Sequence, residues 1–316
     1  MRPSELDEAM GSTPTFLELP GSSLEGADVL IARAALEGTV SYGKGTAAAP
    51  DAILRASLHL ESFDEELEFE HEGSLRYHVL PRLEAEAGEP PESYLPRLTR
   101  LVRERLERRG DRPLPLLLGL GGEHSVTAAL LEALLSGPEV PPPQRWTVVQ
   151  IDAHADLRES YHGSRLNHAC AMRRVLDLGV GRLVAVGIRS AEAAEFRLAR
   201  EDPRIETWYA HRIETPGGFD ALLAALRAVE GPLYLTVDVD GLEVHLAPGT
   251  GTPQPGGLSW ARTMAVLRAL LRQGGGELMG ADICETVPQP HGQVNETVAA
   301  RLAFKIAGYR FAPPSA

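Results

Sequence analysis

Apolar positions along this chain fall into two kinds of run that alternate. Short, nearly continuous stretches recur at Val29–Ala35, Leu114–Leu120, Trp146–Ile151, Leu183–Gly187, Leu233–Val237 and Leu278–Ile283. Such density over so few residues predicts strands covered on both faces. Between them lie segments whose apolar residues are three and four apart: YLPRLTRLVRERLERRG (94–110), SVTAALLEALLSG (125–137), LNHACAMRRVLDLG (166–179), GFDALLAALRAVEG (218–231) and SWARTMAVLRALLRQGGG (259–276). That spacing predicts amphipathic helices, and a glycine closes each of these segments. Strand and helix in alternation predict a single α/β domain of three layers, with helices on either face of a mostly parallel central sheet. Residues 1–25, polar and rich in Ser, Pro and Gly, predict a flexible lead-in, so the folded domain is expected over 26–316.

Composition narrows the class. With 316 residues, 43% hydrophobic, the chain can bury a sizeable core. A net charge of −13 argues against a nucleic-acid partner and is compatible with a small cationic substrate. Cys170 and Cys284 have no CxxC partner, so they predict small buried residues in a reducing cytosol, not a disulfide framework. MRPSELDEAM carries acids and no apolar core, unlike a signal peptide, and no run is long enough to cross a membrane. A cytoplasmic location is therefore expected.

The chemistry collects where strands stop. VVQIDAHADL (148–157) runs from a strand into Asp152, His154 and Asp156, spaced two apart. If the backbone stays extended past Ile151, all three point to one side. LYLTVDVDG ends likewise in Asp238 and Asp240, and PLLLGLGGEHS ends in Gly121, Gly122 and His124. In an open parallel sheet all strand C-termini share one edge, where ligands bind. Four Asp and two His can therefore converge, and carboxylates so clustered need cations. An oxygen-rich set with imidazole and no thiolate suits Mn²⁺, with Fe, Co or Ni as alternatives. Four carboxylates match two divalent ions, which together can bring a water to a pKa near neutral for hydrolysis.

GGEHS (121–125), DAHAD (152–156) and VDVDGL leading to PGTGTP (237–253) resemble the three signatures of the ureohydrolases, the arginase and agmatinase superfamily. EGTVSYGKGT (37–46), HACAMRRV (168–175), VGIRS (186–190) and DICE (282–285) resemble its bacterial agmatinase branch. The resemblance implies an arginase-like fold, a catalytic domain over nearly the whole chain, and two manganese ions. By position, His124, Asp152, Asp156 and Asp238 would hold one ion and Asp152, His154, Asp238 and Asp240 the other. It also implies Asp156 as proton acceptor for the attacking hydroxide, His168 as a proton relay and Glu285 as partner of the guanidinium. Urea and an amine would be the products, in an enzyme of polyamine biosynthesis that forms trimers or hexamers.

The chain departs from that pattern at Glu243–Val244, where Asp-Pro is usual, and at Ser160 and His162, where acids often sit. The second departure lies where the far end of the substrate is met, so Arg158 and His162 are expected to contact its tail. Agmatine, or agmatine extended on its amine, is the favoured substrate. A carboxylate-tailed one (guanidinobutyrate, guanidinopropionate, arginine or formiminoglutamate) is the alternative, made conceivable by Arg158, Arg165 and His162. A scaffold that keeps the fold without turnover is the alternative outside enzymology.

Overall fold

The first predicted strand, Val29–Ala35, forms with those bounds (β1). Its residues alternate between two cores: Val29 and Ile31 enter one, Leu30 and Ala32 the other. Burial on both faces explains why it reads as an unbroken apolar run, and each enclosed aliphatic side chain contributes about 1.5–3 kcal/mol. The computed structural model describes residues 15–314 apart from 87, 111, 138 and 290–292.

In chain order, β1 is followed by helix α1 (Ala49–Ser57), a two-stranded hairpin (β2, Phe63–Asp64; β3, Phe69–Glu70), short strands β4 (Tyr77–Val79) and β5 (Leu83–Glu84), and α2 (Pro91–Glu107). Next come β6 (Leu116–Gly121), α3 (Val126–Leu135), β7 (Thr147–Ile151), α4 (Ala171–Asp177), β8 (Arg182–Ile188), α5 (Ala193–Glu201), β9 (Ile205–Tyr209), α6 (Ala210–Ile213) and α7 (Gly218–Arg227). The chain closes with β10 (Glu230–Asp238), α8 (Trp260–Leu271), β11 (Gly275–Cys284) and α9 (Val294–Phe311). The main sheet runs β4-β1-β6-β11-β10-β7-β8-β9, with β5 also beside β1. Every pairing in it is parallel. Helices α1, α7, α8 and α9 cover one face, through residues such as Ile53, Leu226, Leu267 and Leu302. Helices α2, α3 and α4 cover the other, through Leu98, Leu130 and Val175. This is the three-layer arrangement expected. Among the described residues no helix is long and apolar enough to cross a membrane.

The expected lead-in is corrected in part. Residues 1–14 lie outside the described residues, but Phe16, Leu17 and Leu19 are core positions, and the Phe16 ring lies 5.1 Å from that of Tyr77. Three apolar side chains within four residues outweigh the polar composition around them. Helix α9 buries residues around nearly its whole circumference, including Lys305, whose Nζ is 2.6 Å from Asp64 and 3.2 Å from Glu66 on the hairpin. Replacing Lys305 with Met strands the Asp64 carboxylate, so stability should fall by about 3–5 kcal/mol, as for a broken buried pair. Urea-induced unfolding reads this directly, and an unchanged midpoint would count against the pair as a structural tie.

Candidate metal centre and active-site cavity

β6, β7, β10 and β11 are adjacent, and their C-terminal ends deliver His124, Asp152, Asp238 and Glu285 to one sheet edge. Glycine permits the close approach. A Cβ on Gly122 would lie 2.0 Å from the Leu36 carbonyl oxygen, and one on Gly241 would lie 2.7 Å from Asp152 N. Backbone bonds from Gly122 to Ala34 and from Glu123 to Leu36 then lock the ends of β1 and β6 together.

DAHAD does not continue the strand, contrary to the extended geometry expected. The backbone leaves the sheet after Ile151, His154 keeps only an isolated bridge to Ser190, and Asp156 adopts φ 52°. The three side chains still converge, because Asp156 reaches the site through this left-handed turn. His124 Nδ1 lies 3.1 Å from Asp152, 3.0 Å from Asp156 and 3.6 Å from Asp238. His154 Nδ1 lies 2.9 Å from Asp240 and 3.8 Å from Asp152. Two potential metal-holding groups result, His124–Asp152–Asp238 and Asp152–His154–Asp240, with donor atoms in each within 4.8 Å of one another. Asp152 belongs to both.

The electrostatics fit cations. Burial, then the neighbouring Asp156 and Asp240, push Asp152 up to about 7. Burial followed by Asp240 and Asp152 holds Asp238 well above the usual carboxylate range. Burial opposes protonation of His124 and His154, yet the carboxylates win: His124 is held well above its ordinary value and His154 is pushed up to about 9. Burial would raise Asp240, but His154 beside it lowers it overall. The bare protein thus retains protons that divalent cations would displace. His124 is prepared for this exchange. Its Nε2 is 2.8 Å from Thr236 Oγ1, which donates to Asp282 at 2.7 Å. With its proton committed to Asp282, Thr236 can only accept from Nε2–H. Nδ1, 3.0 Å from Asp156 and 3.1 Å from Asp152 but with no well-directed hydrogen bond among the described residues, is then the nitrogen left to face the carboxylates. An orphaned buried imidazole nitrogen among acid oxygens is a suitable donor set for Mn²⁺.

Above the acids lies a cavity of about 360 Å³ whose wall includes His154, Asp156, His168, Glu192, Asp238 and Glu285. Glu285 adopts φ 62°, and its Oε1 accepts from His124 N–H at 2.8 Å. Burial, then nearby Glu123, pushes it up to about 8. His168 opens a short 3₁₀ turn, capped by the Asn167 side chain, that leads into α4. Burial lowers its pKa. Arg158 lines the wall, where it is paired with Glu192 at 3.0 Å and lies over the Tyr161 ring at 4.4 Å. His162, at φ 48°, is exposed with its ring 4.0 Å from that of Tyr161, and it is not among the described residues of the wall. Arg165 is likewise drawn away, to Glu159 at 2.6 Å.

Sequence reading missed Glu123, Asp282, Glu192 and Glu195. Glu123 and Asp282 flank or sit within the recognised GGEHS and DICE segments, and their burial as orienting carboxylates shows only in three dimensions. Glu192 and Glu195 follow VGIRS, where the strand-end rule applied elsewhere points.

A model of the arginase family matches residues 27–308. The chain is 33% identical over 299 residues to N(1)-aminopropylagmatine ureohydrolase of Synechocystis sp., covering 93% of each. It is 32% identical to agmatinase of Pyrococcus horikoshii, covering 92% of this chain and 95% of the relative. The crystal structure of agmatine ureohydrolase of Thermoplasma volcanium superposes with a TM-score of 0.78 at 28% identity, covering 97% of both chains.

Proposed function

The chain belongs to the arginase family, and on that footing we propose that it hydrolyses the guanidino group of agmatine, or of an agmatine extended on its amine, to urea and a putrescine-type amine. The observation that carries this reading is the convergence of six ligand candidates, of which His154, Asp156 and Asp238 line the same cavity as Glu285 and His168.

His124, Asp152, Asp156 and Asp238 would hold one ion and Asp152, His154, Asp238 and Asp240 the other. Two divalent ions held there, manganese foremost, supply Lewis acidity and lower the pKa of water to near neutrality. Glu285 offers a planar carboxylate that can accept two parallel hydrogen bonds from a guanidinium and so orient its carbon. Asp156 takes up the proton released by the attacking water. His168, across the cavity, returns a proton to the departing amine.

The same wall bears on the tail. Glu192 and Glu195 suit an ammonium, whereas the Arg158 guanidinium is the one observation that favours a carboxylate tail. Arg158 faces both Glu192 at 3.0 Å and Glu195 at 3.9 Å, so two carboxylates outnumber one guanidinium on this wall, and the amine-tailed reading is preferred. Expected kcat/KM for agmatine or aminopropyl-agmatine exceeds that for guanidinobutyrate by at least about tenfold, as for a mismatched charge at a partly buried contact. The reverse order would transfer the assignment to carboxylate-tailed substrates. The direct test is urea release by Mn²⁺-loaded protein, with metal content measured on the same sample, over these three compounds and arginine. Two ions per chain without urea from any of them would sink the proposal.

A further inference from the structure

Residues 37–46 pass beside the cavity and are held from beneath by one carboxylate. Glu123 is fully buried. Its Oε2 accepts from the backbone N–H groups of Gly38 and Thr39, both at 2.6 Å, and its Oε1 accepts from the hydroxyls of Thr39 at 2.9 Å and Ser125 at 2.6 Å. Four donors fill the four acceptor positions of a carboxylate. The Thr39 hydroxyl has one proton, and that proton goes to Glu123.

Thr39 Oγ1 also lies 3.0 Å from His168 N and 3.0 Å from His168 Nδ1. With its proton committed, the oxygen can only accept, and its two lone pairs match these two contacts. The backbone N–H donates one of them. The ring nitrogen must donate the other, because the opposite tautomer would set two lone pairs against each other in a confined site. From this we infer that Thr39, oriented by Glu123, fixes neutral His168 as its Nδ1–H tautomer and leaves Nε2 as the basic nitrogen. Nε2 lies 3.0 Å from the Ser41 hydroxyl, and Ser41 and His168 both line the cavity. The proton that His168 exchanges with the reaction therefore enters and leaves through Nε2 alone.

Thr39 and Glu123 are positioning residues. Their role here rests on the reading of His168 as a proton-moving group, but the tautomer itself does not depend on turnover. The loop that carries Thr39 is otherwise tied down as well: Glu37 accepts from Gly45 N at 2.6 Å, and Gly43 N–H donates to the Gly251 carbonyl at 2.9 Å.

The test is a change of donor without a change of shape. In Glu123→Gln the carboxamide N–H₂ can donate to Thr39, which frees the hydroxyl proton to point at Nδ1 and drives His168 to the Nε2–H form. Solid-state ¹⁵N NMR of the full chain, labelled at the histidine rings and loaded with diamagnetic Mg²⁺, reads the protonated nitrogen. The His168→Gln variant assigns the signals. The expected result is Nδ1–H in the unaltered protein and Nε2–H in Glu123→Gln. With Mn²⁺, kcat of that variant should fall about 10²-fold, the usual scale of general acid–base catalysis, with KM changed less than about threefold. Should Glu123→Gln not fold, Thr39→Val takes its place. It should lose the Nδ1–H preference, and Thr39→Ser should restore both tautomer and rate. An Nε2–H signal in the unaltered protein overturns the inference, as does an unchanged tautomer in the variant that folds. Absence of urea alongside the expected tautomers would instead overturn the functional reading and leave the hydrogen-bond assignment standing.

Discussion

Asp152→Asn should lower urea formation by roughly 10³-fold or more, because it removes a charge from both metal-holding groups at once. Asp152 is fully buried, and its two oxygens accept from His154 N at 2.6 Å and Gln150 Nε2 at 2.7 Å. An asparagine keeps the size of the side chain but offers one oxygen where two are used. Its amide is also neutral where Asp156, Asp238 and Asp240 need a shared cation. The expected sample binds fewer than two Mn²⁺ per chain by elemental analysis and is nearly inactive. Near-normal turnover with full metal content would contradict the assignment of Asp152 as the ligand common to both ions.

Glu285→Gln should act differently, and that difference is its value. The carboxamide oxygen can still accept from His124 N–H, the contact that Glu285 makes at 2.8 Å, so the acid cage should keep its form and its ions. What is lost is the negative charge and one acceptor opposite the guanidinium. Hydrogen bonds to charged groups contribute about 1.5–3 kcal/mol each, so kcat/KM for agmatine should drop by about 10- to 10²-fold. Steady-state kinetics beside metal analysis decide the matter. A fall in metal content equal to that of Asp152→Asn would reassign Glu285 to holding the cage.

Strands β1, β6, β7, β8, β10 and β11 were legible because they are largely buried on both faces, and β1 matched its expected bounds; β2 to β5, of two or three residues each, and the half-buried β9 were not. Helices with one apolar stripe, such as Trp260–Leu271, were legible for the complementary reason. Val294–Phe311 was not, since Ala299, Leu302, Phe304, Ile306 and Tyr309 are all buried and leave no polar face to set a period. Ala49–Ser57, short and beginning around Pro50, was not among the helices predicted. In the site, the ligand candidates could be found because strand ends converge by topology, whatever the local backbone does. The left-handed turn at Asp156 changed the route but not the destination. His162 was named from nearness along the chain, and the structure places it exposed, outside the described residues of the cavity wall. Glu123 and Asp282 were missed as orienting groups because each acts through a threonine hydroxyl far away in the sequence.

Lys305 and Lys44 are the chain's two lysines. Lys305 is sealed beneath the hairpin, while Lys44 is exposed on the 37–46 segment, three residues from Ser41 of the cavity wall. Apart from the chain's own amino terminus, an amine-selective dye or surface linker therefore has one accessible side chain to find, and it stands on the segment that supplies Ser41 to the cavity wall. A fluorophore attached there would report occupancy of the cavity without an introduced cysteine, whereas a chip coupled through it would hold that segment toward the solid support.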